Sequence, residues 1–322
     1  MQRRPFCHAL ALLPTVPLVT LAQGSWPTRP VRLVVAFPAG GLADVMARVL
    51  QPALQEVLGQ PVLIENRGGA NGNVAADAVV KGGGDGHTFL VSSTGIESVN
   101  PFMFERMAFD PARDLQHVAL LANSYLFLVT RPNFPAQTVE EFVAYARTQP
   151  GRLSYGSAGS GSTPHLAGEL FKQDAGFFAT HIPYRGAAPA LQDTMGGQVD
   201  YCFAPGIAFQ AARAGRLKLL AVASRQRAPI WPSAPTLAER GYGNVLADTL
   251  FGVYAPTAMS AEAVSRLNRE INKLLVLPGT KTRFAELGAD AMAITPVEFK
   301  SLVQAEAKLF SAVVKARRIQ PD

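Results

Sequence analysis

Two segments of this chain run from an extended apolar stretch through small residues into a helical pattern. In the first, Phe37-Pro38-Ala39-Gly40-Gly41-Leu42-Ala43-Asp44 closes the run Val31–Phe37. In the second, Gly156-Ser157-Ala158-Gly159-Ser160-Gly161-Ser162 follows the strand pattern Leu153–Tyr155 and precedes a helix holding His165. A helix start has unpaired N–H groups and about half a positive charge, so it favours anions. Glycines let a ligand approach the backbone closely. Hydroxyls add donors without net charge. Two such loops facing each other across a cleft make a clamp for a small carboxylate. The spacing does not suit phosphate, because there is no GKS or GKT P-loop and no GxGxxG after the first strand.

Enzymatic chemistry is less well provided for. None of Ser157, Ser160 and Ser162 has glycine at both the −2 and +2 positions of a nucleophile elbow. A secreted serine esterase using this loop is therefore the weaker, competing reading. His165 and Glu169 lie one helical turn apart, half of a metal site, but no HExxH and no second ligand pair accompany them. No metal and no cofactor are expected. Arg185, in Tyr184-Arg185-Gly186, reads either as a cation at the cleft or as a surface residue.

The elements that must position these loops alternate between strand and helix, which is α/β architecture. After the first loop, Met46, Val49, Leu50, Leu54, Val57 and Leu58 keep a helical period, with Gly59 as the stop. Pro52 falls inside and predicts a kink, because it removes a hydrogen bond to the Arg48 carbonyl. Strands are expected at Pro61–Glu65 and His87–Val91, the latter ending in Ser92-Ser93-Thr94-Gly95. The register then repeats, with strands around Val118–Leu121 and Leu126–Thr130 and a helix over Thr138–Thr148. Thr138 and Glu141 have capping-box spacing there. The last quarter is mostly helical, and Glu306 interrupts an apolar face made by Phe299, Leu302, Val303, Phe310 and Val313.

Composition agrees with a folded chain of two lobes. Of 322 residues, 48% are apolar and only 17% charged, which argues against disorder. The net charge is +6, but Lys and Arg are scattered and not interleaved with aromatics, so no nucleic-acid partner is expected. Two cysteines, Cys7 and Cys202, make no disulfide framework. Arg3 and Arg4 precede an apolar run from Ala9 to Ala22, and no acid occurs before Asp44. With Thr20-Leu21-Ala22 before Gln23, this is a secretory signal over residues 1–22. Arg3-Arg4-Pro5-Phe6 also resembles the twin-arginine motif, which leaves both export routes open. Nothing later reaches transmembrane length, so the exported protein is not expected to be embedded in a membrane.

The chain resembles the Bug/TctC family, the extracytoplasmic solute receptors of tripartite tricarboxylate transport systems. The resemblance rests on Trp26-Pro27-Thr28-Arg29-Pro30-Val31, Phe37-Pro38-Ala39-Gly40-Gly41 with Asp44, Gly59-Gln60-Pro61-Val62 and Glu65-Asn66-Arg67. It continues through Asp85-Gly86, Asn100-Pro101, Ser157-Ala158-Gly159 with Gly161-Ser162, and His165-Leu166-Ala167-Gly168-Glu169-Leu170-Phe171. Pro183-Tyr184-Arg185-Gly186, Ala188-Pro189-Ala190-Leu191 and Gly196-Gly197-Gln198-Val199-Asp200 complete it, over most of the mature chain.

The resemblance implies a two-lobed, type II periplasmic-binding-protein fold with a ligand cleft between lobes joined by two crossing strands. Residues 26–122 with 250–322 would form lobe 1, and residues 123–249 lobe 2. It implies a periplasmic receptor, not an enzyme, that closes on a small organic carboxylate and delivers it to cognate membrane permease subunits. An accessory sensor for a signalling system is the alternative. Carried over by position, the ligand contacts are Phe37, Ala39, Gly40 and Gly41, then Ser92, Ser93 and Thr94, then Gly159, Ser160, Gly161 and Ser162 with His165, and Ala204. This chain departs from the family pattern at Leu42-Ala43, Ala187 and Ala204-Pro205, where polar residues are usual. The departures predict a less polar or larger ligand, such as an aromatic or branched carboxylate.

Overall fold

A computed structural model describes residues 26–321. The signal-peptide segment expected at 1–22 lies outside them. The chain opens with β1 (Val31–Val35), α1 (Leu42–Leu58), β2 (Val62–Asn66), α2 (Asn73–Lys81) and β3 (Thr88–Ser93). Three single turns of helix follow, α3 (Gly95–Ser98), α4 (Asn100–Met103) and α5 (Pro111–Asp114), then β4 (Leu115–Ser124). The next run is β5 (Phe127–Thr130), α6 (Val139–Thr148), β6 (Ser154–Ser157), α7 (Thr163–Ala175) and β7 (Thr180–Pro183). It continues with α8 (Ala187–Met195), β8 (Tyr201–Ala204), α9 (Phe209–Arg213) and β9 (Lys218–Val222). The last stretch is β10 (Thr249–Pro256), α10 (Ala261–Leu275), α11 (Pro278–Glu286), β11 (Ala289–Ala291) and α12 (Pro296–Arg317).

These strands make two sheets, ordered β11-β4-β10-β3-β1-β2 and β7-β6-β8-β5-β9. The α/β, two-lobed expectation is met. The chain passes from the first sheet to the second between Ser124 and Phe127, and returns after β9 to enter β10. β4 and β10 pair antiparallel along their length, from Thr249 opposite Ser124 to Pro256 opposite Leu115. β10 and β11 are strands that residue patterns alone did not mark. Gly252 breaks the apolar run of β10 because the Phe299 ring would lie 2.2 Å from a Cβ there.

β1 is covered on both faces, burying Val31, Leu33, Val34 and Val35, which explains a run that is apolar apart from Arg32. It stops at Val35, two residues short of the expected Phe37, and so frees Phe37 to leave the sheet. α1 buries Leu42, Met46, Leu50, Leu54 and Leu58 on one stripe. It remains a single element through Pro52, which sits on the exposed side where water can serve the freed carbonyl. Gly59 ends it at φ +66°. The capping box expected at Thr138 is only half formed. The Thr138 hydroxyl accepts from Glu141 N–H at 3.2 Å, but the Glu141 carboxylate takes Gln137 N–H at 2.7 Å.

α12 belongs to both lobes. Phe299 and Val303 pack in the first sheet's core with Leu90, Leu120 and Tyr254. Phe310, Val313 and Val314 pack in the second sheet's core with Leu128, Phe142 and Phe171. The division read from the sequence put all of 250–322 in lobe 1, whereas the end of this helix completes the core of the other lobe. Leu302, expected on the apolar face, is exposed. Among the described residues no helix is long and apolar enough to cross a membrane. Cys202 is buried and free, and burial pushes its thiol up to about 12, so it is an inert core residue.

Candidate functional site

Loops from both sheets enclose a cavity of about 150 Å³. Three helix N-termini open on it. Leu42 and Ala43 begin α1, Ser162 to Pro164 begin α7, and Gly186 to Pro189 begin α8. First-turn N–H groups have no carbonyl partner one turn back, so they are free to meet an anion. Pro164 and Pro189 contribute none. The wall next to the crossing strands is Ser124, Leu126, Thr249 and Phe251, with Ser93 and Gly95 beside them. Phe37, Leu42, Leu126, Pro205 and Phe251 make most of the surface apolar. Arg185 also lines the cavity. It is exposed and borders an adjoining outer groove as well.

The first loop is braced by charge. Asp44 Oδ2 accepts from Gly40 N–H and from Arg48 Nε, each at 2.9 Å. Asp44 Oδ1 accepts from Asn66 Nδ2 at 3.0 Å, and the same amide donates to the Phe37 carbonyl at 3.0 Å. Burial alone would raise the Asp44 pKa, but the hydrogen bonds from Arg48, Gly40 and Asn66 outweigh it and hold the pKa below its ordinary value. Gly41 N–H donates back to the Pro38 carbonyl at 3.1 Å.

The second loop is braced by hydroxyls and imidazoles. The Ser157 hydroxyl lies 2.6 Å from His181 Nε2 and accepts from Gly159 N–H at 3.1 Å. Gly161 N–H donates to His165 Nδ1 at 3.1 Å, and the Ser162 hydroxyl donates to the Gly159 carbonyl at 2.6 Å. The His165 and His181 rings stack at 3.7 Å, 7° from parallel. In both loops, then, the glycine N–H groups hold the loop's own shape. The donors presented to the cavity lie one or two residues further on, in the first turns of the helices.

Of the residues expected at the ligand, Phe37, Ala39, Gly41, Ser93, Gly161 and Ser162 line the cavity. Gly159 and Ser160 line the adjoining groove. Gly40, Ser92, Thr94, His165 and Ala204 line neither, and Pro205 stands where Ala204 was expected. His165 instead positions the second loop, and Thr94 is tied by its N–H to the Leu250 carbonyl at 2.9 Å. Sequence reasoning missed Asn71, Ser124, Thr249 and Phe251. Asn71 bridges the lobes, donating from Nδ2 to Asn100 Oδ1 at 2.7 Å and to the Gly161 carbonyl at 3.3 Å. Its φ of +49° was the available signal, since asparagine among glycines is a residue that tolerates the left-handed region. Among the described residues no group of three or more His, Cys, Asp or Glu is placed to hold a metal ion.

A family model described as the tripartite tricarboxylate transporter family receptor, TctC, matches residues 46–319. The chain belongs to the TctC receptor family. The resemblance seen in the loop motifs is borne out. BugT of Bordetella pertussis is 35% identical over 298 residues, covering 92% of this chain and 91% of its own. Among solved structures, an R. palustris protein with adipate is 35% identical with a TM-score of 0.89, covering 92% of this chain and all of that one. MatC from Rhodopseudomonas palustris with bound malate is 33% identical with a TM-score of 0.84, covering 90% of this chain and all of that one. This chain is thus a solute-binding receptor of the TctC family, in which the cavity occupies the cleft between the lobes.

Proposed function

We propose that this TctC receptor is periplasmic, captures a small carboxylate in the interlobe cavity and delivers it to a membrane permease. The observation that carries this reading is the convergence of the α1, α7 and α8 N-termini on one largely apolar cavity. The ligand carboxylate would sit at those N-termini, where free N–H groups and helix dipoles favour an anion without a salt bridge. Its body would lie against Leu126, Pro205 and Phe251. A cavity of roughly this volume holds a benzene-sized group. The relatives solved with adipate and malate support carboxylate capture as the shared chemistry. The apolar wall at Leu42, Ala43, Ala187 and Pro205 supports a less polar ligand here.

The test is thermal unfolding of protein refolded free of ligand, against aliphatic, branched and aromatic carboxylates. A ligand at about 100 times its Kd adds roughly 2.7 kcal/mol. For a chain of this size that raises the midpoint by roughly 5 °C. A shift confined to carboxylates is expected. No shift with any carboxylate overturns the reading.

A further inference from the structure

Two acids stand directly behind the cavity wall at the crossing strands. Glu306 lies on α12, between the part of the helix in one core and the part in the other. The hydroxyls of Thr94 and Ser98 approach its carboxyl, and its Oε2 is buried with no hydrogen-bond partner. Thr94 sits between Ser93 and Gly95, both on the cavity wall. Asp248 precedes the wall residue Thr249. Its carboxylate accepts from the Ser224 hydroxyl and from Asn123 Nδ2, and Asn123 adjoins the wall residue Ser124.

Few charges offset these acids. Around Glu306 stand Glu97 of α3, Tyr254 of β10 and Asp248. Glu97 is paired with His117 of β4 at 3.0 Å. Around Asp248 stand Asp290, which takes the Tyr125 hydroxyl, and Arg225. Burial, with Asp248 and Glu97 nearby, pushes Glu306 up to about 7 against the lowering effect of its two hydroxyls. Opposite in sign, Arg185 and three helix N-termini line the same cavity. The cavity is therefore lined by groups that favour an anion and backed by two acids beside its crossing-strand wall.

Resting on the carboxylate reading above, we propose that Glu306 and Asp248 set ligand specificity, repelling a second carboxylate at the hinge end. The receptor then selects monocarboxylates whose far end is uncharged or cationic, and disfavours dicarboxylates of equal length. Neither acid touches the ligand. Both act through one layer of wall residues, in a low-dielectric interior where like charges interact strongly.

The experiment is calorimetric titration of the ligand-free mature protein with matched four- and six-carbon probes: butyrate and succinate, hexanoate and adipate. Hexanoate bearing a terminal amine is the cationic arm. At about pH 8.5 each monocarboxylate should bind at least about ten-fold more tightly than its dicarboxylate partner. That ratio should shrink toward about pH 6.5, still above the ordinary carboxyl range, as Glu306 takes up its proton. Glu306→Gln should reduce the ratio at about pH 8.5 and remove most of its pH dependence. If that variant does not fold, the pH dependence of the ratio in the unaltered protein, with Asp248→Asn beside it, carries the test. Dicarboxylates binding as tightly as their partners at about pH 8.5, or a ratio indifferent to pH, overturn this inference alone. Failure of every probe to bind overturns the carboxylate reading with it.

Discussion

The two loops that close on the cavity reach the same end by different means. In the Phe37–Asp44 loop an ionised carboxylate with three donors holds the turn. In the Ser157–His165 loop, hydroxyls and a stacked imidazole pair do so without a carboxylate. The side of the cavity facing α1 is therefore fixed by a strong, pH-sensitive brace. The side facing α7 is fixed by hydroxyl and imidazole hydrogen bonds and by packing. Both designs use up the glycine N–H groups, so a glycine-rich loop before a helix presents the helix's first turn rather than its own glycines.

Gly161 and Gly40 sharpen the contrast most. Both have left-handed φ, at +74° and +78°. A Cβ on Gly161 would lie 2.3 Å from Met103 Sδ across the cleft, whereas one on Gly40 meets nothing within 4 Å. Gly161→Ala should displace Met103 from the loop and weaken ligand binding by about 100-fold or more, measured by calorimetry. Gly40→Ala should cost only about 1 kcal/mol in thermal unfolding and leave binding in place. Equal effects of the two would dissolve the distinction between a packed loop and an open one.

Asp44→Asn comes next. Losing a buried charged acceptor should destabilise the fold by about 2 kcal/mol near neutral pH. Because Asp44 titrates below its ordinary value when folded, its contribution is present above the unfolded-state pKa. It is lost as pH falls through the folded value. The unaltered protein should therefore converge on the variant in acid, and a difference that persists at low pH would refute the charged brace. His165→Leu is the smallest change. It leaves Gly161 N–H without its acceptor and should cost about 1 kcal/mol in thermal unfolding near neutral pH.

Much of the framework was legible because burial dictates composition. β1 is covered on both faces and reads as a run apolar apart from Arg32, and α1 shows its buried stripe at helical spacing. The loop positions were legible from glycine and serine between those patterns. Their donors were not, since the partner of Gly40 or Gly161 depends on side-chain rotamers of Asp44 and His165 that no spacing reveals. Thr249 and Phe251 escaped notice because β10 pairs with strands more than a hundred residues away in sequence. The double allegiance of α12 was hidden for a similar reason. Its helical period shows one apolar face but not that the face meets two different cores.

That helix has a thermodynamic consequence. With Phe299 and Val303 in one core and Phe310, Val313 and Val314 in the other, neither core is complete unless the same helix is in place. The lobes are tied to each other for stability. Denaturant should therefore melt both in a single cooperative transition, with near- and far-ultraviolet dichroism changing together. A two-lobed protein of this kind cannot be divided at its cleft into halves that fold alone.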